Sequence, residues 1–524
     1  MQRAAYLFVF AAAMGCLAPA LIAQTATTAV ISGTVKDPSG AVVPGAGVEL
    51  VELSTKLSRH QTTNEAGQYF FPSVPPGQYD LKVSAAGFRS ATVHALRVEV
   101  ARSYVQDVEL EVGAITETVA VTAEARAELQ TVDATVGNVL SGRSLPVLPT
   151  FTRQANELLT LQPGVTPDGQ VTGARNDQST FSLDGIEVTN QSVGGLTTYM
   201  YLGIESVEEF RVGVANPNAS FGRGAGGQVS IIGRRGSNEL RGALFWYHQN
   251  DDLNANTWTN NRNRIKEPEL KDNRFGFRAG GPALRDRMFY FVNYDGRRFP
   301  RSSDINRLVP TESLRRGELR FRDAAGNINT YPLATARLCG PTGDQPCDPR
   351  GLGLSPAIAK LWSFLPPGND PSLGDGLNTI GFRATVQHPF TSDFYMGRLD
   401  FNLNSNWRLD GAFRYYRELD RSNAQLSIIN GNVQSVRQFP NRQNLVNVGL
   451  TGAFRPNLTA EFRFGSVRVR PATDSLRPNE AAKILGIPET NTPEGYVALD
   501  QGALEGTYAL LAEPIDVGTQ VARK

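Results

Sequence analysis

The sequence predicts a mainly β protein that is exported and that contains membrane-crossing strands. Three observations predict this class: an apolar N-terminal leader, short strands between turn residues up to about residue 111, and longer alternating segments after about residue 240. Alternation with a period of two residues indicates strands with one apolar and one polar face. The formal net charge of +1 over 524 residues gives no argument for nucleic-acid binding, so no nucleic-acid partner is expected.

Residues 1–23 have the composition of a secretory signal peptide. Arg3 precedes an apolar stretch, and Ala20 and Ala23 are candidate cleavage positions. A short membrane anchor and a lipoprotein acylated at Cys16 remain as alternatives. After this leader, no stretch approaches the roughly 20 apolar residues that a spanning helix needs.

Cys339 and Cys347 flank a turn-rich segment. In an exported protein, a local disulfide between them is the natural interpretation. The alternative is a metal or redox pair, which is weaker because no His lies nearby and the spacing is not Cys-x-x-Cys.

Residues 29–112 predict a small antiparallel β-sandwich, because short strands and turns follow each other at regular spacing. The segment resembles the carboxypeptidase regulatory-like, transthyretin-related domain, and the matching residues are 33–37, 67–71, 75–79 and 86–88. The chain has 4 His, and no pair of them has metal-ligand spacing. We therefore expect no metal, no cofactor and no catalytic residue, and we interpret the sandwich as an accessory or binding module rather than an enzyme.

A short segment follows in the linker 113–126 and has the pattern of an extended strand. Such a strand can add to the sheet edge of a partner, although it can also be the last strand of the sandwich or a plain linker. The segment is very similar to the TonB box of TonB-dependent receptors, which implies pairing with TonB of the inner-membrane energising complex. The residues of this predicted box are Glu117, Thr118, Val119, Ala120, Val121, Thr122 and Ala123.

Residues 127–236 look like the plug domain of the same receptor family, which is an α+β fold. The apolar spacing of 158–161, followed by Pro163 and Gly164, predicts a short helix. The pair Asp184 and Gly185 predicts a tight hairpin turn.

Charged and glycine residues in this segment have a structural interpretation. The glycine cluster 222–227 lacks the Lys-Ser/Thr of a phosphate-binding loop and does not begin a helix. We expect Asp184, Arg211 and Arg223 to make structural charge pairs inside a polar lumen, with partners that the sequence does not assign.

From residue 237 to 524 the pattern is that of a transmembrane antiparallel β-barrel. The first strand is predicted at 240–246 and the next hairpin at 273–282 and 288–296. Strands approach the roughly 9–11 residues that cross a bilayer obliquely, aromatic residues gather near strand ends, and short turns alternate with long connections. The long connection 300–392 is predicted to lie outside the cell. One strand has an apolar face of Tyr395, Gly397, Leu399, Phe401 and Leu403 against a polar face of Arg398, Asp400, Asn402 and Asn404.

The order of sandwich, box, plug and barrel is similar to the Oar-like branch of TonB-dependent receptors. Roughly seven barrel strands are predicted, whereas plugged outer-membrane transporters close with about 22. Because a barrel in lipid must close, we expect a fragment or a truncated gene product.

The resemblance implies TonB-dependent transport of an unknown extracellular substrate across the outer membrane of a Gram-negative bacterium. The sandwich and plug are then expected on the periplasmic side, and outer-membrane lipid surrounds the barrel. The alternative is surface adhesion, with a carbohydrate- or protein-binding sandwich that a barrel anchors.

Overall fold

The computed structural model has three connected units, each built mainly of β-strands and loops. The described residues are 27–113, 118–122, 136–142, 144–148, 150, 152–171, 173–190, 193, 196–216, 224–256, 258–262, 267, 269–333, 354, 359, 362–363, 365–422, 426–429, 432–435, 437–455, 458–471 and 474–475. No helix among these residues is both long and apolar enough to cross a membrane.

The first unit is a β-sandwich of two packed sheets. One sheet has the order β4-β1-β7, with β8 also paired to β1, and the other has the order β3-β2-β5-β6-β9. The strands are β1 (Ala29–Lys36), β2 (Gly47–Glu52), β3 (Ser58–Thr62), β4 (Gln68–Val74), β5 (Gly77–Ser84), β6 (Ser90–Val98), β7 (Ser103–Val105), β8 (Val108–Glu109) and β9 (Thr118–Thr122).

Period-two alternation explains why these residues form a sandwich. Every second side chain of β1 is buried from Ala29 to Val35, and Tyr79, Leu81 and Val83 of β5 face the same core. Residues that alternate in this way place one apolar face against the other sheet. The predicted sandwich and its strands are confirmed.

The second unit is a five-stranded sheet, called the middle sheet below, with the order β10-β13-β14-β11-β12. At Asp184 and Gly185 the chain turns with positive φ of 49° and 80°, which makes the predicted two-residue hairpin turn between β11 and β12. The strands are β10 (Val136–Ser141), β11 (Thr180–Leu183), β12 (Ile186–Glu187), β13 (Val207–Ala215) and β14 (Gln228–Gly233).

The predicted short helix of this unit is a 3-10 helix, Ala155–Leu161. Its Leu158 and Leu159 are fully buried in the core of the middle sheet. The apolar spacing therefore identified the buried side of this segment, and the helix is 3-10 over its 7 residues.

The third unit is a large antiparallel sheet, called the wall sheet below, with the order β15-β16-β17-β22-β23-β26-β27 and β28 paired to β26. The strands after β14 are β15 (Arg241–Asn250), β16 (Lys271–Leu284), β17 (Met288–Phe299), β18 (Ser302–Pro310), β19 (Glu318–Arg322), β20 (Ile328–Pro332), β21 (Thr379–Gln387), β22 (Phe390–Asn402), β23 (Trp407–Arg421), β24 (Leu426–Ile429), β25 (Asn432–Ser435), β26 (Arg437–Arg455), β27 (Leu458–Pro471) and β28 (Asp474–Ser475).

Short and long connections alternate along the wall sheet, as predicted. Short turns join β16 to β17, β22 to β23 and β26 to β27, while long connections join β15 to β16, β17 to β22 and β23 to β26. Since neighbouring strands are antiparallel, all the short turns lie at one end of the sheet and all the long connections at the other.

The two faces of the wall sheet invert the usual pattern of a soluble sheet. The apolar side chains of Leu399 and Phe413 are 55% and 50% exposed, whereas the charged Arg398, Asp400 and Arg414 are buried. A sheet with an apolar outer band and a polar inner face is what a membrane barrel wall requires. The predicted alternation is confirmed in both strands.

The long connection between β17 and β22 has its own structure at the far end of the wall sheet. It contains two strand pairs, β18 with β21 and β19 with β20. Two short helices occur in the connections, α1 (Trp258–Arg262) before β16 and α2 (Glu312–Arg315) here. Trp362 and Leu314 are buried against each other and form a small core in this connection.

The three units share interfaces. The core of the middle sheet includes Phe291, Phe394 and Met396 from the inner face of the wall sheet. The sandwich lies at the end with the short turns, where the Thr27 hydroxyl donates to the Glu461 carboxylate over 2.9 Å. The middle sheet therefore packs inside the curve of the wall, and the sandwich packs beneath both.

Candidate functional site

The predicted box lies on the sandwich. Its residues 118–122 form β9, which pairs in parallel with β6 through the partners Ser90 and Thr118 to His94 and Thr122. Strand β9 ends the order β3-β2-β5-β6-β9, so its outer edge has no strand partner among the described residues. Glu117 and Ala123 lie outside the described residues.

This placement matches one of the alternatives open from the sequence, the last strand of the sandwich. A strand at the edge of a sheet presents unpaired N–H and C=O groups to a further strand. Pairing of the box with TonB stays a prediction, and the sequence did not show that β6 already holds one side of it.

The predicted disulfide between Cys339 and Cys347 lies outside the described residues, as does Arg223. The four His residues are separated: His60 and His94 lie in the sandwich, and His248 and His388 lie in the third unit. Within the described ranges, no group of three or more His, Cys, Asp or Glu is placed to hold a metal ion.

Asp184, at the tip of the β11–β12 turn, is where the middle sheet joins the wall. Its Oδ2 accepts a hydrogen bond from Arg414 Nη2 at 2.5 Å, and its Oδ1 accepts from Arg398 Nη1 at 3.2 Å. The Gly233 backbone N–H also donates to Oδ1 at 2.9 Å. The predicted structural role of Asp184 is confirmed, and its partners are two arginines of β22 and β23.

The charge state of Asp184 follows from these contacts. Burial alone raises the pKa of a carboxyl, but Arg414 and Arg398 together with the Gly233 N–H hold the pKa of Asp184 at about 2. The side chain is therefore ionised at all physiological pH values and acts as a fixed anchor.

Next to Asp184, a row of paired charged side chains lies on the inner face of the wall sheet. Arg398 bonds both oxygens of Asp400, at 2.9 and 3.0 Å, and Arg408 donates to the same carboxylate at 2.7 Å. Arg463 of β27 lies 3.6 Å from Asp410. Opposite charges on adjacent inward positions therefore pair with each other along this polar inner face.

A second junction joins the sandwich to the middle sheet. Val100, in the loop between β6 and β7, is fully buried. Its N–H donates to Glu209 Oε2 at 2.8 Å, and its carbonyl accepts from Arg211 Nη1 at 2.6 Å. Burial raises the pKa of Glu209 to about 8, and the neighbouring carboxylates Glu99 and Glu208 act in the same direction.

Arg211 therefore joins the middle sheet to the sandwich through the carbonyls of Val100 and Ala101. Sequence patterning did not identify Val100 or Glu209 as contact residues, because a buried loop residue and a strand carboxylate carry no periodic signal. An apolar Val directly after Glu99 is the one sequence feature at this position.

An aromatic group lies further from the short turns. The rings of Tyr201 and Tyr416 stack with centroids 4.6 Å apart, and Phe394 lies 5.3 Å from Tyr201. The Tyr201 hydroxyl contacts Asp295 Oδ2 at 3.4 Å. These side chains join the loop before β13 to three strands of the wall sheet. They form a second contact between the middle sheet and the wall sheet, in addition to that of Asp184.

Comparison with known families decides what the wall sheet is. A family model described as "Outer membrane beta barrel domain" matches residues 232–516, which is more than half of the chain. The chain belongs to this family. A second family model, "Carboxypeptidase regulatory-like domain", matches residues 30–111, which is the sandwich.

A curated relative places the chain more narrowly. The TonB-dependent transporter Oar of Myxococcus xanthus is 26% identical over 298 residues, which cover 52% of this chain and 27% of Oar. The chain thus spans about a quarter of the length of this relative. It is related to a TonB-dependent transporter, and its location is the bacterial outer membrane.

Two solved structures are similar to part of the chain. The outer membrane transporter YddB from Escherichia coli has 13% identity and a TM-score of 0.41, covering 65% of this chain and 39% of that chain. A mutant ferric enterobactin receptor, PfeA, from Pseudomonas aeruginosa has 13% identity and a TM-score of 0.36, covering 64% and 41%. At these values the likeness carries no further inference.

Proposed function

We propose that this protein takes part in TonB-dependent transport of a substrate across the outer membrane. In this proposal the middle sheet is the plug of the barrel, and residues 117–123 are the segment that TonB binds. The observation that carries the proposal is Asp184, because its pairs with Arg398 and Arg414 join a separate folded sheet to the inner face of a membrane wall. Such a sheet blocks the lumen until a force or a ligand moves it.

The position of the sandwich supports a periplasmic side for TonB binding. The sandwich lies at the end with short turns, and short turns face the periplasm in outer-membrane barrels. Strand β9 is therefore on the periplasmic side, where an inner-membrane protein can reach it. The outer membrane has no ATP supply of its own, so mechanical coupling from the inner membrane fits this arrangement.

The proposed contact with TonB is main-chain pairing along β9. Addition of a strand to an exposed edge gains affinity from backbone hydrogen bonds. Two routes are open: a TonB strand adds to the outer edge of β9, or it replaces β6 after β9 is released.

Val121→Pro tests the proposal, because proline removes a backbone donor from the ladder. The variant is expected to lose site-specific crosslinking to TonB and to lose uptake, while Val121→Thr keeps the donor and the β-branched shape and serves as the matched control. Unchanged crosslinking in Val121→Pro would show that this segment does not bind TonB.

A disulfide lock separates the two routes. Thr92 and Ala120 are register partners in the β6–β9 ladder, so the Thr92→Cys/Ala120→Cys pair is placed for a crosslink between adjacent strands. If TonB replaces β6, the oxidised pair loses TonB crosslinking and reductant restores it. If TonB adds to the outer edge, crosslinking persists in the oxidised form. Each single-cysteine variant is the control.

A further inference from the structure

A cavity lies where the sandwich, the middle sheet and the wall sheet meet. Its accessible volume is about 70 Å³. A buried water needs on the order of 10–15 Å³ of such volume, so the cavity has room for several waters or for one small polyatomic ion. It is formed by the sandwich around Pro75, the turn at Asp184 and the short turn at Asn406 before β23.

The walls of this cavity carry more positive than negative charge. Asp184 and Asp410 are the carboxylates among its described lining residues. The guanidinium groups come from all three units and belong to Arg59, Arg235, Arg398, Arg408 and Arg463. Four of these arginines already pair with carboxylates, Arg235 with Glu52, Arg398 and Arg408 with Asp400, and Arg463 with Glu461, which leaves Arg59 without a carboxylate partner among the described residues.

Two atoms of buried cavity residues have no hydrogen-bond partner in the described part of the chain. Arg408 donates through Nη2 to Asp400, but its buried Nη1 has no acceptor. Asp410 Oδ2 is buried and has no donor, although Arg463 and Arg398 lie 3.6 and 3.8 Å from it. A buried orphan of this kind indicates a bound group that supplies the missing partner.

Arg59 is the third side chain of the cavity that supports the inference. Its guanidinium donates to the carbonyls of Pro72 and Ser73, at 3.0 and 3.5 Å, and no carboxylate of the described residues is paired with it. Burial lowers the pKa of Arg59, which is the sign of a cation without a counter-charge. Arg59 lines the same cavity as Arg408.

We propose that the cavity binds a phosphate that carries a proton, either hydrogen phosphate or a phosphate monoester. Arg59 of the sandwich and Arg408 of the wall donate to its oxygens, because the guanidinium fork matches the geometry of phosphate. The P–OH group donates to Asp410 Oδ2. Water satisfies single atoms, whereas an anion also supplies the counter-charge that Arg59 lacks.

The role of Asp410 makes the proposal selective. Sulfate and phosphate diesters have no O–H donor at neutral pH, so each would place an oxygen lone pair against the Asp410 carboxylate. The site therefore discriminates free phosphate or a monoester from sulfate and from the diester of a phospholipid headgroup. A bound phosphate contacts both the sandwich and the wall sheet and so joins them. The inference does not depend on TonB.

The first test uses the full chain in detergent at constant ionic strength and neutral pH. Isothermal titration and thermal unfolding are measured with inorganic phosphate, sulfate and dimethyl phosphate. Phosphate is expected to bind saturably and to raise the unfolding temperature, and the other two are not. Equal effects of all three salts would overturn the proposal.

The second test uses variants of the cavity. Arg408→Gln and Arg59→Gln are each expected to weaken phosphate binding at least tenfold, since a charge-assisted hydrogen bond contributes about 1.5–3 kcal/mol. Arg417→Gln is the matched control, because Arg417 lies on the same strand, pairs with Asp393 and is 58% exposed outside the cavity. Equal weakening in the control would contradict a specific site.

The third variant is Asp410→Asn, which replaces an acceptor by a group that can also donate. It is expected to reduce the preference for phosphate over sulfate at least tenfold. An unchanged preference would overturn the role of Asp410. If any single variant fails to fold, the comparison of the three salts on the native chain still decides the proposal.

Discussion

Asp184→Asn is expected to loosen the middle sheet from the wall. The side chain is 3% exposed and is shared between Arg398 and Arg414. Asparagine keeps the shape but removes the charge, so two buried guanidinium groups lose their counter-ion. Removal of one partner from a buried ion pair costs about 3–5 kcal/mol.

The pKa of Asp184 gives an independent magnitude. A depression from the usual 3.8 to about 2 corresponds to a stabilisation of the ionised form on the order of 2 kcal/mol. Because the folded pKa lies below the unfolded one, this stability is complete above about pH 4 and is lost as the pH falls through about 2. The effect of Asp184→Asn should therefore be largest at neutral pH.

Native-state hydrogen exchange is the assay. The amides of Asp184 and Gly233, which bond to Ile231 and to Asp184 in the middle sheet, are expected to exchange at least a hundredfold faster in Asp184→Asn. Asp177→Asn is the matched control, because its pair with Arg175 has a similar distance of 2.8 Å but is exposed, and such pairs contribute about 0–1 kcal/mol. Similar exchange in both variants would refute the anchor.

Two further predictions concern the sandwich junction and the outer face. Burial raises the pKa of Glu209 to about 8, so the folded protein favours the neutral form of this side chain. The stability that Glu209 contributes is therefore complete below about pH 4.5 and declines as the pH rises to about 8. The urea midpoints of unfolding at pH 5 and pH 8 should differ in the wild type and agree in Glu209→Gln. Phe413→Arg places a charge on the lipid-facing side of β23 and should cost about 2–4 kcal/mol in vesicle refolding, whereas Arg421→Lys at the strand end should cost little. A pH-independent wild type, or a Phe413→Arg variant that refolds normally, would contradict the respective reasoning.

Local sequence patterns predicted much of the fold. The alternation around residues 395–415 identified both faces of two wall strands, because a period of two is visible in any strand with one apolar side. The turn at Asp184 and Gly185 was also predictable, since few residue pairs accept positive φ at both positions.

The contacts between units were not predictable in the same way. Arg398 and Arg414 are typical inward residues of a barrel strand, and nothing in their spacing names Asp184, more than 200 positions away, as their partner. The docking of β9 on β6 is similar, because an edge strand and a free box have the same alternation. Such pairings depend on how sheets meet in space, which a one-dimensional pattern does not encode.

The place of β10 in the middle sheet has a mechanical consequence. It follows β9 along the chain and, among the described residues, is an edge strand that is bonded on one side to β13. Tension applied at β9 reaches β10 first, and β10 can separate from β13 one residue pair at a time. The central strands β11, β13 and β14, next to the turn that holds Asp184, do not bear this first load. A pull from the periplasm would thus detach the edge strand β10 before it loads the contacts of Asp184. A narrow opening would then need less force than removal of the whole middle sheet.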